Sequence, residues 1–449
     1  MQSPNLLAFC DQTIAQITKR KLEMNDGCPY KHVSEIDFMD PAVQGNWFEA
    51  YDLIREESPA YFMEQIGMYV ITRYDDIEYV LRRPLEFTSG SDVQDTEPLI
   101  KFEAANALYE KKGWRRFSPL GVNLPQHANY RALVDPALTA SKIRDKEGFI
   151  KKAINQLIDS WIDEPSIPFI EKFAEPLPMI VIAELLGFPK MDLPLLKVWS
   201  TAWVLPHSRG LSLDQEIDAV EKHIELQHYI FDTMKRKRKQ PGNDIITRLL
   251  NIEVKDADTD KSRPLTDTEI IGITDHLLIG GNETTTFALS NGLWLLFRNP
   301  ETYRQLQEDQ SRIKNFVEEV LRIESPTQGL FRFVKKDCEL SGVKIPAGAT
   351  LSIRYGAGNH DPRRFPDPVI PKLDRKNAGR HLAFGLGEKV CPGATLSRME
   401  QKWAWEILFS RLSSIRPTPD TENYTHRSGM WVRALEEIHV SFDKAPQHR

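Results

Sequence analysis

The chain has 449 residues, 41% hydrophobic and 27% charged, so it can bury a large core. Its formal net charge of -6 argues against nucleic acid as the main partner. The four cysteines, Cys10, Cys28, Cys338 and Cys391, show no CxxC and no paired spacing, which suggests neither a zinc site nor a disulfide framework and fits a reducing cytoplasm. Length alone allows about three domains, but no linker marks a boundary, and residues 1–449 read as a single globular unit.

The first ten residues contain no basic region and no apolar run able to cross a bilayer, so a cytoplasmic protein without a membrane anchor is expected. Residues 1–45 read as a short helix and an arm. Ala60–Met63 and Met68–Thr72 are β-type runs around Gly67, a hairpin pattern, and helical spacing returns over Asp75–Leu81. Between Ser89 and Pro125 the pattern is weak, with Phe102, Leu108, Tyr109, Trp114 and Phe117 set among charges. Long irregular stretches of this kind are binding loops or lids more often than inert insertions. A helix opens at Pro125, and His127 and Arg131 share one of its faces. Phe149–Met234 is mostly helical, broken at Pro165, Pro176, Gly187 and Pro206; Trp199, Trp203, Val204 and Leu205 before the last break are either core or a roof over a pocket. The Lys235–Lys239 run reads as a solvated helix end whose cations suit the C-terminal dipole.

Leu265, Thr266, Glu269 and Ile270 form a helix start, with Thr266 as cap and Glu269 completing a capping box. Apolar spacing continues to Phe297, and Asn299-Pro300 ends it. The middle of this helix, Gly280-Gly281-Asn282-Glu283-Thr284-Thr285-Thr286, is made of poor helix formers around an acid that burial makes costly. It is either a packing notch or a site. Glu319 and Arg322 are three apart on a later helix and can pair. Residues 328–334 read as a strand and 339–348 as a hairpin region.

The most informative stretch is His381–Gly393. Cys391 sits between glycines, behind Phe384 and ahead of Pro392, and a helical pattern follows from Ala394 to Leu408. Glycines allow positive φ and close approach to a flat ligand. The sulfur lies near a helix N-terminus beside Lys389, and both features favour the thiolate that ligates metal. A buried structural cysteine is the plain alternative.

The stretch resembles the haem-binding loop of the cytochrome P-450 superfamily, Phe-Gly-x-Gly-x-(His/Arg)-x-Cys-x-Gly, at Phe384, Gly385, Gly387, Cys391 and Gly393. It departs at Lys389, which can still meet a haem propionate as a point charge. The mid-helix stretch resembles the family's oxygen-binding (Ala/Gly)-Gly-x-(Asp/Glu)-Thr. Glu319-x-x-Arg322 resembles its Glu-x-x-Arg, and Asn359–Pro368 its Asn-Arg-Asp-Pro…Phe-Pro-Asp-Pro, with His360 in place of Arg and Pro371 where an aromatic is common.

The resemblance implies the family's fold, mainly α with a minor β-rich part, a triangular helical prism around haem. It implies haem b with Cys391 as metal ligand, and further cofactor contacts from His127, Arg131, Gly280, Gly281, Arg332, Phe384, Gly385, Lys389 and Gly393. Glu283 and Thr284 would be catalytic, passing protons to the distal oxygen during O–O cleavage. Leu277, Leu278, Thr327, Gln328, Leu330, Met430 and Trp431 would face substrate, and Arg375 would complete a structural triad with Glu319 and Arg322. The implied reaction inserts one atom of O2 into a C–H bond of a hydrophobic molecule, such as a terpenoid, steroid or aromatic. No flavin or iron–sulfur domain is expected in the chain, so electrons would come from a separate ferredoxin and its reductase, docking near Lys389, Arg398 and Lys402. A peroxide-driven oxygenase and a non-catalytic haem-thiolate sensor are the alternatives; Glu283 and Thr284 argue against the first, and the lack of an output motif against the second.

Overall fold

The computed structural model describes residues 30–446 except 39, 41–42, 44–46, 91–99, 209–210, 257–258, 422–423, 428 and 430. The arm expected at the N-terminus, Cys10, Cys28 and Met430 therefore lie outside the described residues.

The long central helix is Asp267–Arg298, 32 residues, about 48 Å at ~1.5 Å per residue. Thr266 and Glu269 form the expected reciprocal capping box. Glu269 also takes a two-point ion pair from Arg263 at 2.8 and 2.8 Å and a hydrogen bond from the Tyr130 hydroxyl at 2.5 Å, so the helix start is tied to a neighbouring hairpin and helix. The helix is buried on nearly every side, as a helix inside a large core must be. It packs on the helices Pro176–Leu186, Leu213–Lys239, Ile313–Ile323 and Ala394–Arg411. Among the described residues, no helix is long and apolar enough to cross a membrane.

The β-rich part is a sheet in the order Ala60–Met63, Met68–Ile71, Thr350–Ile353, Leu330–Val334, Phe87–Thr88. The first two strands form the expected hairpin, Met63 opposite Met68, with Gly67 at φ 66° in the turn. Thr350–Ile353 runs parallel to Met68–Ile71 and antiparallel to Leu330–Val334, which sets Arg332 opposite Leu351. A second sheet joins Leu412–Pro417, His439–Lys444 and Ser166–Pro168.

The weakly patterned 89–125 stretch contains a helix, Glu103–Lys112. Only Ala105 and Tyr109 are fully buried on it, so its apolar spacing is too sparse to read as a helix face. They join Val220 and Ile224 in a small satellite core against Leu213–Lys239. Polar contacts reinforce the docking. Tyr109 meets His223 Nδ1 at 2.8 Å, and His223 Nε2 meets Asp275 Oδ2 on the central helix at 3.1 Å. The Gln227 amide grips both the N–H and the C=O of Trp114, at 3.0 and 2.9 Å, as a strand neighbour would. Glu216 accepts the Phe102 N–H at 2.7 Å. The Lys235–Lys239 run does end its helix, with Lys237 paired to Asp244 and Arg238 to Asp267.

Candidate functional site

The cysteine loop is shaped by its glycines. Gly385 and Gly387 have φ of 67° and 72°, and a Cβ on Gly387 would lie 2.8 Å from the Leu81 carbonyl oxygen, so both conformation and space require glycine. The Cys391 N–H donates to the Phe384 carbonyl at 2.9 Å, which closes the loop before the Ala394–Arg411 helix begins. Burial pushes the Cys391 thiol up. The peptide N–H groups of Gly393 and Ala394 and the charges of Arg131 and Arg398 pull it down without prevailing. The helix start thus acts on the sulfur in the expected direction while burial opposes it, and Lys389 turns its side chain elsewhere. Its amine donates instead to the carbonyls of Val122 at 2.5 Å and Gly121 at 3.4 Å.

Four basic side chains from distant parts of the chain, His127, Arg131, Arg332 and Lys389, converge beside this loop. His127 is buried on the Gln126–Val134 helix. Burial, then Lys389, Arg131 and Arg332, lower its pKa to about 3. Burial, then Arg332 and Arg131, lower that of Lys389 to about 7. Every charge acting on these two groups is positive. Arg131 pairs with Asp135 at 2.6 Å and reaches the loop at the Val390 carbonyl, 2.8 Å away. A cluster that repels itself this way suits an anionic group. Among the described residues no group of three His, Cys, Asp or Glu side chains could hold a metal. One cysteine donor and a nest of basic side chains fit a macrocycle that brings its own iron ligands and carries carboxylates.

On the central helix, Gly280 is exposed although Ile279 before it is buried, and nothing lies within 4 Å of where its Cβ would be. The Thr284 hydroxyl donates to the Gly280 carbonyl at 3.0 Å, a back-bond that can open a helix locally, yet the helix stays α throughout. Gly281 is turned elsewhere: a Cβ there would meet Ile182 of the Pro176–Leu186 helix at 3.0 Å. Thr285 bonds Ser397 at 3.1 Å and so ties this helix to the one that follows Cys391.

Glu283 is buried and points away from that opening, toward the Leu193–Val204 helix. Lys197 Nζ lies 2.8 Å from its Oε1, and the Ser200 hydroxyl donates to the same oxygen at 3.2 Å. Lys197 also pairs with Glu175 at 2.9 Å, and both of those side chains are partly exposed, so a charged chain runs from the surface to Glu283. Sequence reasoning missed Lys197 and Ser200. They carry no motif, and nothing local in the sequence links them to the central helix.

Glu319 and Arg322 are wholly buried and meet at 2.7 and 3.0 Å. Arg375 reaches Glu319 at 3.1 Å and also donates to the carbonyls of Pro366, Asp367 and Ile370. His360 lies flat on Phe48, ring centroids 4.1 Å apart, and contacts the Ile323 carbonyl at 2.8 Å, so it is a neutral packing residue. Burial lowers its pKa to about 3.

The residues expected to face substrate differ in exposure. Gln328 is fully buried and spends its amide on Ser325 and Tyr51, and Leu278 is sealed inside the main core. Leu277 is slightly exposed, Leu330 is exposed on its strand, Thr327 bridges Val432, and Trp431 packs edge-on against Phe331.

A model of the family described as Cytochrome P450 matches residues 179–439. The chain is similar to Cytochrome P450 109 of Bacillus spizizenii, 31% identical over 396 residues, covering 88% of this chain and 91% of the relative. It is similar to cytochrome P450 monooxygenase PikC of Streptomyces venezuelae, 32% identical over 370 residues, covering 81% and 83%. Among solved structures, CYP109E1 from Bacillus megaterium in complex with testosterone superposes with a TM-score of 0.77 at 30% identity, covering 90% of this chain and 99% of that one.

Proposed function

The chain belongs to the cytochrome P450 family, and from that premise we propose that Cys391 is the axial haem ligand of a monooxygenase acting on a sizeable apolar molecule, of which steroids are the leading class. The family binds haem b through a cysteine thiolate, and this group supplies O2 binding and O–O cleavage, which thiolate donation favours. The observation that carries the reading is the convergence of His127, Arg131, Arg332 and Lys389 beside the Cys391 loop, with no acid among the described residues acting against them on His127 or Lys389. These four would hold the haem carboxylates, three as donors of directed hydrogen bonds and Lys389 as a point charge.

Exposed Gly280 leaves room for O2 and substrate beside the central helix, and the Thr284 hydroxyl offers a proton donor next to that opening. Glu283, fed from the surface through Lys197 and Glu175, would take up protons and hand them toward Thr284 by turning from Lys197. Leu277, Leu330, Thr327 and Trp431 would offer an apolar wall. A related protein was solved with testosterone, which supports the steroid class. A separate ferredoxin and ferredoxin reductase would deliver the electrons.

The test is a Soret titration of the ferric protein with steroids, terpenoids and aromatics, then turnover of any ligand that shifts the band. Hydroxylation should require O2 with ferredoxin and reductase. Thr284→Ala and Glu283→Gln should cut product per reductant consumed by roughly tenfold or more. Equal turnover by peroxide alone, insensitive to both substitutions, would replace this reading with a peroxygenase.

A further inference from the structure

The cysteine loop has a second acidic anchor beside the Glu319 triad. Glu318 accepts from Arg398 twice, Nε to Oε1 at 2.7 Å and Nη2 to Oε2 at 3.0 Å. Its Oε2 also meets His381 Nε2 at 3.1 Å. His381 Nδ1 accepts the Ala383 N–H at 3.2 Å, which leaves the ring proton on Nε2, facing the carboxylate. His381 is buried, the Glu318 side chain is 13% exposed, and that of Arg398 is about one-third exposed. Burial works against ionised Glu318, but the bonds from His381 and Arg398 prevail and hold its pKa at about 2.

The partners matter because of where they stand. His381 enters the cysteine loop, and Arg398 lies on the helix that leaves it. The Arg398 guanidinium also covers the Phe384 ring, 4.6 Å from its centroid, and Phe384 is the residue whose carbonyl takes the Cys391 N–H. The loop between has little regular structure of its own beyond one short turn at Gly387–Lys389. One carboxylate thus fixes both limbs of the loop and, through Arg398, the aromatic residue that closes it. Arg398, expected on a partner-docking face, is partly exposed but has its guanidinium paired to Glu318.

We propose that Glu318 is a positioning residue for Cys391, acting through His381 and Arg398 to keep the sulfur seated on the haem iron. This rests on the reading of Cys391 as axial ligand. A charge-assisted fork is geometrically stricter than a point charge, so Arg398→Lys should loosen the seat even though it keeps the charge. Glu318→Ala removes both tethers.

The experiment compares haem-loaded wild type, Glu318→Ala, Arg398→Lys and the double variant. Three quantities are measured well below the unfolding temperature: the share of the reduced carbonyl complex showing the thiol-type rather than the thiolate-type Soret band, the haem reduction potential, and Tm. Each single variant should raise the thiol-type share several-fold and shift the potential, and the double variant should add little to the worse of the two. Unchanged band share and potential in both single variants, even with lowered Tm, would overturn the proposal and leave Glu318 a scaffold residue only. If Glu318→Ala does not fold, Arg398→Lys at a partly exposed site decides alone. A wild type lacking the thiolate-type band removes the Cys391 reading itself and this proposal with it, whereas a normal wild type with indifferent variants removes only the clamp.

Discussion

At the scale of single residues, what a side chain meets across the fold decides its part. Lys197 stands between the carboxylates of Glu175 and Glu283, 2.9 and 2.8 Å away. Removing a cation from a buried pair leaves an uncompensated charge, which costs about 3–5 kcal/mol when both partners are sealed and less here, because Lys197 is partly exposed. Lys197→Met should therefore lower stability by roughly 1–3 kcal/mol, read from urea denaturation, and should raise the share of reductant lost as peroxide during turnover. Unchanged coupling would separate Lys197 from proton delivery. Lys197 was invisible in the sequence because its pairing with Glu283 spans 86 positions and repeats no pattern. Cys391 was legible because its glycines, proline and following helix are all local. What no local pattern shows is that Arg131 and Arg398, distant in the chain, also act on the sulfur through space.

Among elements, the central helix was the most readable, since capping boxes and apolar spacing are properties of consecutive residues. Its start also carries a pH-dependent term. Burial opposes ionised Glu269, yet the bonds from Arg263, Tyr130 and Thr266 prevail and bring its pKa from 4.5 to about 2. A carboxylate depressed in the folded state adds stability that is complete above 4.5 and is lost as pH falls toward 2. Glu269→Gln should then be less stable than wild type at neutral pH by roughly 1–3 kcal/mol, with the gap closing in acid. Urea midpoints at pH 7 and pH 3 check this, and a gap undiminished at pH 3 would mean that packing, not charge, is what the substitution disturbs. The Glu103–Lys112 helix was not readable, because its burial depends on a partner helix more than a hundred positions later.

For the whole molecule, the Glu319–Arg322–Arg375 triad joins the Ile313–Ile323 helix to the irregular 366–375 stretch that precedes the cysteine loop. Glu319→Gln would strand two buried guanidinium groups. The expected loss is about 3–5 kcal/mol, seen as a lower urea midpoint together with a lower haem-to-protein ratio after expression; full loading at an unchanged midpoint would count against the triad as a keystone. The helical class and the small sheet were legible from period and punctuation, whereas the parallel pairing of Thr350–Ile353 with Met68–Ile71 joins segments whose partnership no local signal encodes. The satellite core between Glu103–Lys112 and Leu213–Lys239 carries one more consequence. Because Tyr109, Trp114 and Phe102 are all gripped by the one long helix, this region cannot flutter residue by residue. Any undocking of these three residues would then be a single latch-like event, and hydrogen exchange at the backbone amides they hold should share one opening rate.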